Sequence, residues 1–170
     1  MKILRIALLS AALTLGTSFT PAAYAQQAGA LSGGAAAQSH KHSMMTVPEE
    51  LVWKDVPSVG PGAKIAVIEG PLDKPVPFTF RLRLPANFKV APHIHPTFER
   101  VTVLSGTFHF AHGKKFDEAE TCPLVPGSVA IMPPGAPMFG FTREETVIQL
   151  HGVGPWGITY LNPADDPRKR

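Results

Sequence analysis

Between Val47 and the C-terminus the chain sustains no helical period beyond a single turn, and its apolar residues come in short runs closed off by Pro and Gly. Eighteen Pro and 15 Gly in 170 residues work against long helices. Pro removes a backbone donor and clashes with the preceding turn, while Gly inside an element costs conformational entropy. Residues 65–69, 78–84, 98–104, 107–111, 128–132, 146–151 and 158–161 have the β-branched and aromatic content of strands. Only residues 48–53 suit a helical turn, with Glu49 and Glu50 in its first turn where the dipole prefers acids. Many short strands with this punctuation predict an all-β domain, either a sandwich or a closed barrel.

Residues 92–106 carry the chemistry. They read Pro-His-Ile-His-Pro-Thr-Phe-Glu-Arg-Val-Thr-Val-Leu-Ser-Gly. His93 and His95 stand two apart, so an extended backbone turns both imidazoles to one side. Glu99 follows a short Pro-containing turn and opens the next strand. Two neutral imidazoles and one carboxylate form a three-donor set for a divalent transition metal, with coordination positions left open. Fe, Mn, Zn, Ni and Cu all accept such a set. The competing reading is a wet pocket in which the three side chains only hydrogen-bond. Pro92 and Pro96 stiffen the backbone on both sides.

These residues resemble the first signature of the cupins, in which His-x-His is followed by Glu and then Gly. His93, His95, Glu99 and Gly106 match it. The second cupin signature is matched by Gly127, Pro133 and Gly135, but Met138 stands where that signature has its His. The tail, from His151-Gly-Val-Gly-Pro-Trp-Gly-Ile-Thr-Tyr to Asn162-Pro-Ala-Asp-Asp-Pro, is similar to that of a group of small exported bacterial cupins. The resemblance covers roughly residues 50–167. It implies a cupin-type jelly-roll barrel (a double-stranded β-helix) in one domain, a metal held by His93, His95 and Glu99, a small-molecule ligand in the barrel, and a homodimer. It does not select a reaction, because dioxygenases, isomerases, decarboxylases, lyases and non-catalytic binders share this barrel.

Met138 admits three readings: an apolar plug beside a three-ligand site, a long axial ligand in a copper site, or a mark of lost metal function with the pocket kept for an organic ligand. With Glu99 turned inward, alternation turns Val101 and Val103 inward and Arg100 and Thr102 away. Val147, Gln149 and His151 share one strand face. It either meets solvent or places Gln149 and His151 in the pocket as metal ligands or their supports. Arg81 and Arg83 alternate with Phe80, Leu82 and Leu84, and either line the pocket as a carboxylate clamp or form a solvated face. Phe139 and Phe141 are read as framing the pocket mouth, and Trp156 and Tyr160 as core packing or as a cap on the pocket or a subunit contact. His109 is read as exposed or satisfied in the core.

Residues 1–25 read as a secretory signal: Lys2 and Arg5 precede the apolar run 6–15, and Ala23-Tyr24-Ala25 supplies small residues before Gln26. The expected location is therefore the periplasm or the exterior, with no membrane anchor once the signal is removed. The formal net charge of +3 loses two positive charges with Lys2 and Arg5, leaving a chain near neutrality. Together with the lack of a basic run carrying aromatics, this argues against a nucleic-acid partner. Residues 26–46 form a low-complexity leader ending in His40, His42, Met44 and Met45, either a polar linker or a loose soft-metal tail. The barrel domain spans 47–167, and 168–170 is a basic tail. Cys122, the single cysteine, is expected to be buried.

Overall fold

A computed structural model of the chain describes residues 44–170. The expected signal segment and His40 and His42 of the leader lie outside the described residues. Eleven strands follow in order: β1 (Lys54–Asp55), β2 (Lys64–Glu69), β3 (Pro77–Leu84), β4 (Lys89–Ile94), β5 (Glu99–Ser105) and β6 (Phe108–His112). They continue with β7 (Cys122–Leu124), β8 (Val129–Met132), β9 (Met138–Thr142), β10 (Thr146–Val153) and β11 (Thr159–Tyr160). The helical turn expected at 48–53 is one 3-10 turn, Pro48–Glu50, where the Val47 N–H donates to the Glu50 carboxylate at 3.3 Å.

The strands form two sheets, a six-stranded one in the order β1-β2-β3-β10-β5-β8 and a five-stranded one in the order β11-β4-β9-β6-β7. Every strand pair is antiparallel. β1, β2 and β3 pair in sequence and so do β6 and β7, while from β3 to β6 and from β7 to β11 the chain crosses between the sheets at each step, which is the plan of a jelly roll. Period-two alternation sends Phe78, Phe80, Leu82 and Leu84 of β3 into the core, with Phe80 fully buried. From β10, Ile148 and Leu150 meet them, opposite Val103 and Val101 of β5. Phe108 and Phe110 enter from the second sheet.

The expectation for Cys122 is corrected: its thiol is exposed. It stands on β7, a three-residue edge strand paired only with β6, and no further strand covers it.

Candidate metal centre

β4 is the strand that builds the site, and it is irregular. Its register against β9 shifts between Val90 and His93. Pro92 falls in that interval and has no N–H to give to a ladder, so Pro is tolerated there as in other bulges. The bulge lets Val90 and His93, three apart, line the same cavity, and His95 joins them just past the end of the strand. Glu99, the first residue of β5, closes the group from the other sheet. All three polar residues are at most 6% exposed.

Both imidazoles have one nitrogen tied down. Nδ1 of His93 lies 2.7 Å from the Ala91 carbonyl, and Nδ1 of His95 lies 2.6 Å from the Gly157 carbonyl. A carbonyl only accepts, so each Nδ1 is assigned the hydrogen, and a neutral ring then carries its lone pair on Nε2. Metal-ligating histidines use the same arrangement, with the distal N–H fixed by a carbonyl and the other nitrogen free to ligate. The two rings stand edge to face, their centroids 4.9 Å apart. Nε2 of His95 is 3.3 Å from Oε2 of Glu99, and the Trp156 indole N–H donates to Oε1 of Glu99 at 2.8 Å. Both oxygens of Glu99 are therefore engaged.

The donor chemistry fits a divalent transition metal, with His93, His95 and Glu99 as the holders. Convergence is incomplete, however. Among the described residues no three His, Cys, Asp or Glu side chains are gathered as a metal-holding group. Metal–ligand bonds of about 2.0–2.2 Å put neighbouring donors roughly 3 Å apart, so His95 and Glu99 already have the spacing of a ligand pair. Met138 pairs with His93 across β4 and β9, is buried, and directs its thioether side chain into the same cavity.

Burial sets the protonation of the group. It lowers His93 to about 3, assisted by the neighbouring His95 and opposed by the Ala91 carbonyl, so His93 is neutral at ordinary pH. Burial also raises the Glu99 carboxyl, opposed by His95 and by the Trp156 N–H. A metal held by Glu99 would take the carboxylate form, so loading would compete with the proton that burial favours there.

These shifts act on the stability of the metal-free protein in opposite directions. His93 takes up a proton on unfolding at any pH between about 3 and its ordinary 6.5, so it lowers stability as pH falls through that window. Glu99, with a raised folded value, adds stability that is complete below 4.5 and is lost as pH rises. The two offset each other just above 4.5, and below it His93 acts unopposed by Glu99. Stability should then fall by about 1.4 kcal/mol per pH unit from this group alone. Urea midpoints of chelated wild type and His93→Leu at pH 4.5 and 3.2 test this. The variant should lose less on acidification, and equal losses would show that His93 does not carry the effect.

The other candidate residues are distributed differently. Val101 lines the cavity; Val103 points inward but belongs to the core beyond its wall. Phe139 is corrected: it is buried on the opposite side of β9 from Met138, its ring 5.2 Å from that of Phe116. Of the two readings open for Gln149 and His151, the outer face is the one found, because Ile148 and Leu150 are the residues of β10 that meet the cavity. Gln149 accepts from the Arg81 Nε at 3.2 Å on the outer face, where His151 lies half-buried. Arg81 and Arg83 share that face, with the Arg83 guanidinium 4.2 Å from the Trp53 ring centroid. The physical reason is common to all four: the cavity wall is aliphatic and aromatic, so the polar face of each strand is the outside.

His109 also faces outward, its ring stacked 4.4 Å from that of Phe141. Tyr160 donates to the Ser58 carbonyl at 2.9 Å and packs its ring beside His93. Trp156 is the residue that sequence reasoning undervalued. It packs, as expected, but it is also the hydrogen-bond partner of Glu99.

The cavity beside His93, His95 and Glu99 measures about 40 Å³. That volume accommodates an ion with little more than a water or two, well below the several hundred Å³ of pockets that enclose organic ligands. A broad surface cleft of about 520 Å³ reaches His95 from outside, between Pro96, Pro134, Gly157 and Arg168.

No family model matches the chain, and no curated protein sequence matches it. Solved structures do. The polyketide cyclase RemF from Streptomyces resistomycificus superposes with a TM-score of 0.60 at 17% identity, covering 75% of this chain and 92% of its own. An RmlC-like cupin from Shewanella frigidimarina NCIMB 400 gives 0.52 at 14% identity, covering 65% and 89%. Salicylate 1,2-dioxygenase from Pseudoaminobacter salicylatoxidans gives 0.51 at 16% identity over 61% of this chain and 30% of its own. Identities this low speak for the backbone alone, and with two antiparallel sheets enclosing the His93–His95–Glu99 cavity they establish that the chain has the fold of the cupin superfamily, a double-stranded β-helix.

Proposed function

We propose that this protein is an exported metalloprotein whose barrel holds one divalent transition metal through His93, His95 and Glu99 and presents it to a small oxygenated ligand. The observation that carries the reading is the pair of imidazoles, each fixed through Nδ1 by a backbone carbonyl and buried beside a carboxylate. Isolated buried groups of this kind are costly, and a bound cation would use all three. Such a metal supplies Lewis-acid polarisation of an oxygen ligand or, as Fe(II), activation of O2. The residues of this chain contribute the donors and an apolar wall around them. A ligand larger than a few atoms would sit partly in the cleft behind His95 rather than inside the cavity.

A second reading is a non-catalytic periplasmic binding protein with a degenerate metal site. Two observations favour it: Met138 stands at the cavity in place of a fourth strong donor, and no titratable side chain besides the three donors lines the cavity. Either reading places the protein in the periplasm or outside the cell, by the signal segment expected at 1–25, and as a homodimer, by the cupin likeness. The experiment that separates them is elemental analysis of residues 26–170 purified from periplasm without tag or chelator, followed by aerobic and anaerobic reconstitution. About one equivalent of Fe, Mn, Ni or Zn is expected. Copper would make Met138 a ligand, and no metal under any condition would remove the metal-centre reading.

A further inference from the structure

Trp156 is held from several directions. Its ring stacks on His95 with centroids 5.8 Å apart and planes at 26°, and meets Phe80 edge-on at 4.9 Å. Its backbone N–H donates to the Leu72 carbonyl at 2.7 Å. Phe80 is fully buried and the indole, partly buried itself, packs against its ring. From this fixed position the Nε1–H reaches Oε1 of Glu99 at 2.8 Å, while Oε2 is the oxygen beside His95. The two oxygens of one carboxylate thus face different partners.

We propose that Trp156 is a positioning residue that makes Glu99 a one-oxygen ligand: the indole N–H retains Oε1 and presents only Oε2, beside Nε2 of His95, to the metal. The inference rests on the metal-centre reading above. Turning both oxygens toward a metal would break the bond to an indole held against His95 and Phe80, leaving its N–H unpaired beside apolar side chains. With Glu99 restricted to one oxygen, the protein supplies three strong donor atoms, and the remaining positions stay open to water or ligand. Trp156 therefore governs how many positions are open, without itself touching the metal.

Two measurements test this. The first uses the wild-type sequence. It has two Trp residues, so its amide–indole NMR spectrum carries two indole signals, assigned with Trp53→Phe, whose ring lies on the outer face. Zn(II) loading should leave the Trp156 indole proton downfield and slow to exchange. A shift to the position and exchange rate of a free indole would overturn the proposal. The second compares Co(II) affinity and visible absorption in wild type, Trp156→Phe and Trp156→His. Trp156→Phe keeps an aromatic ring against His95 but frees Oε1. Its Co(II) bands should weaken as coordination number rises, and its affinity should change by about 10- to 100-fold, the usual range for a residue supporting a ligand. Trp156→His, which keeps a ring N–H, should move back toward wild type. Wild-type spectrum and affinity in Trp156→Phe would overturn the proposal while leaving the metal centre standing. Failure of wild type to bind either ion would overturn both.

Discussion

Replacing His93 and His95 together by Ala is expected to leave the protein without stoichiometric metal and to abolish the stabilisation that metal gives the wild type. A ligand that binds only the folded state stabilises it by about 2.7 kcal/mol at a hundredfold excess over Kd. For a domain of this size that corresponds to a rise of roughly 10 °C in melting temperature. The double variant should show no such rise. Its metal-free stability will also differ from wild type, because His93 packs beside Tyr160 and both rings are buried. Each protein is therefore compared with itself, with and without Zn(II), by thermal melts alongside elemental analysis. Retention of one equivalent of metal in the double variant would place the metal elsewhere.

The residues that point to this site are close in sequence, and that is why they could be read there. His93, His95 and Glu99 span seven positions, and one strand end, one turn and one strand start bring them together. The β-rich fold was readable for the same reason, since β2, β3, β5, β6 and β10 each carry their own alternation or β-branched run. What escaped is non-local or lacks a period. β9 reads Met-Phe-Gly-Phe-Thr and is buried on both faces, so it shows no alternation and has a Gly at its centre. β7 is three residues long and contains Pro123. The bond from Trp156 to Glu99 joins residues 57 apart, and that from His95 to Gly157 joins residues 62 apart.

Face assignment stayed open for a different reason. Alternation divides Val147, Gln149 and His151 from Ile148 and Leu150 but does not say which set is inside. Polar side chains on a strand near a metal motif invite the inward reading. The decision belongs to the rest of the barrel: Leu82, Leu84, Phe108 and Phe110 fill the interior with apolar surface, and Gln149 finds its partner, Arg81, outside. An apolar wall around a small donor group also raises the cost of any unpaired charge within it, which is why His93 and Glu99 both shift toward their neutral forms.

Two glycines with the same backbone conformation should respond very differently to Ala, because only one of them is crowded. Gly106, in the turn from β5 to β6, has φ +71°, and Gly135, before β9, has φ +72°. In either place an L-residue is forced into the left-handed region at about 1–2 kcal/mol. Around Gly135 nothing lies within 4 Å of an added Cβ, so that conformational cost is the whole effect, and Tm should fall by about 5 °C. At Gly106 the Cβ would strike the Glu145 carbonyl oxygen and come within 2.6 Å of the Thr146 Oγ1 and 2.9 Å of its Cα. Two of the three contacts are backbone atoms, and Thr146 is fully buried with its hydroxyl donating toward the Thr107 and Glu144 carbonyls. No side-chain rotation relieves that clash. The start of β10 must move away from β5, adding about 1–3 kcal/mol of overpacking to the conformational cost. Gly106→Ala should therefore lose roughly 3 kcal/mol and about 10 °C in Tm, at least twice the loss of Gly135→Ala. Equal losses in thermal melts of the two variants would mean that the β5–β6 turn is looser than the packing of Glu145 and Thr146 against Gly106 requires.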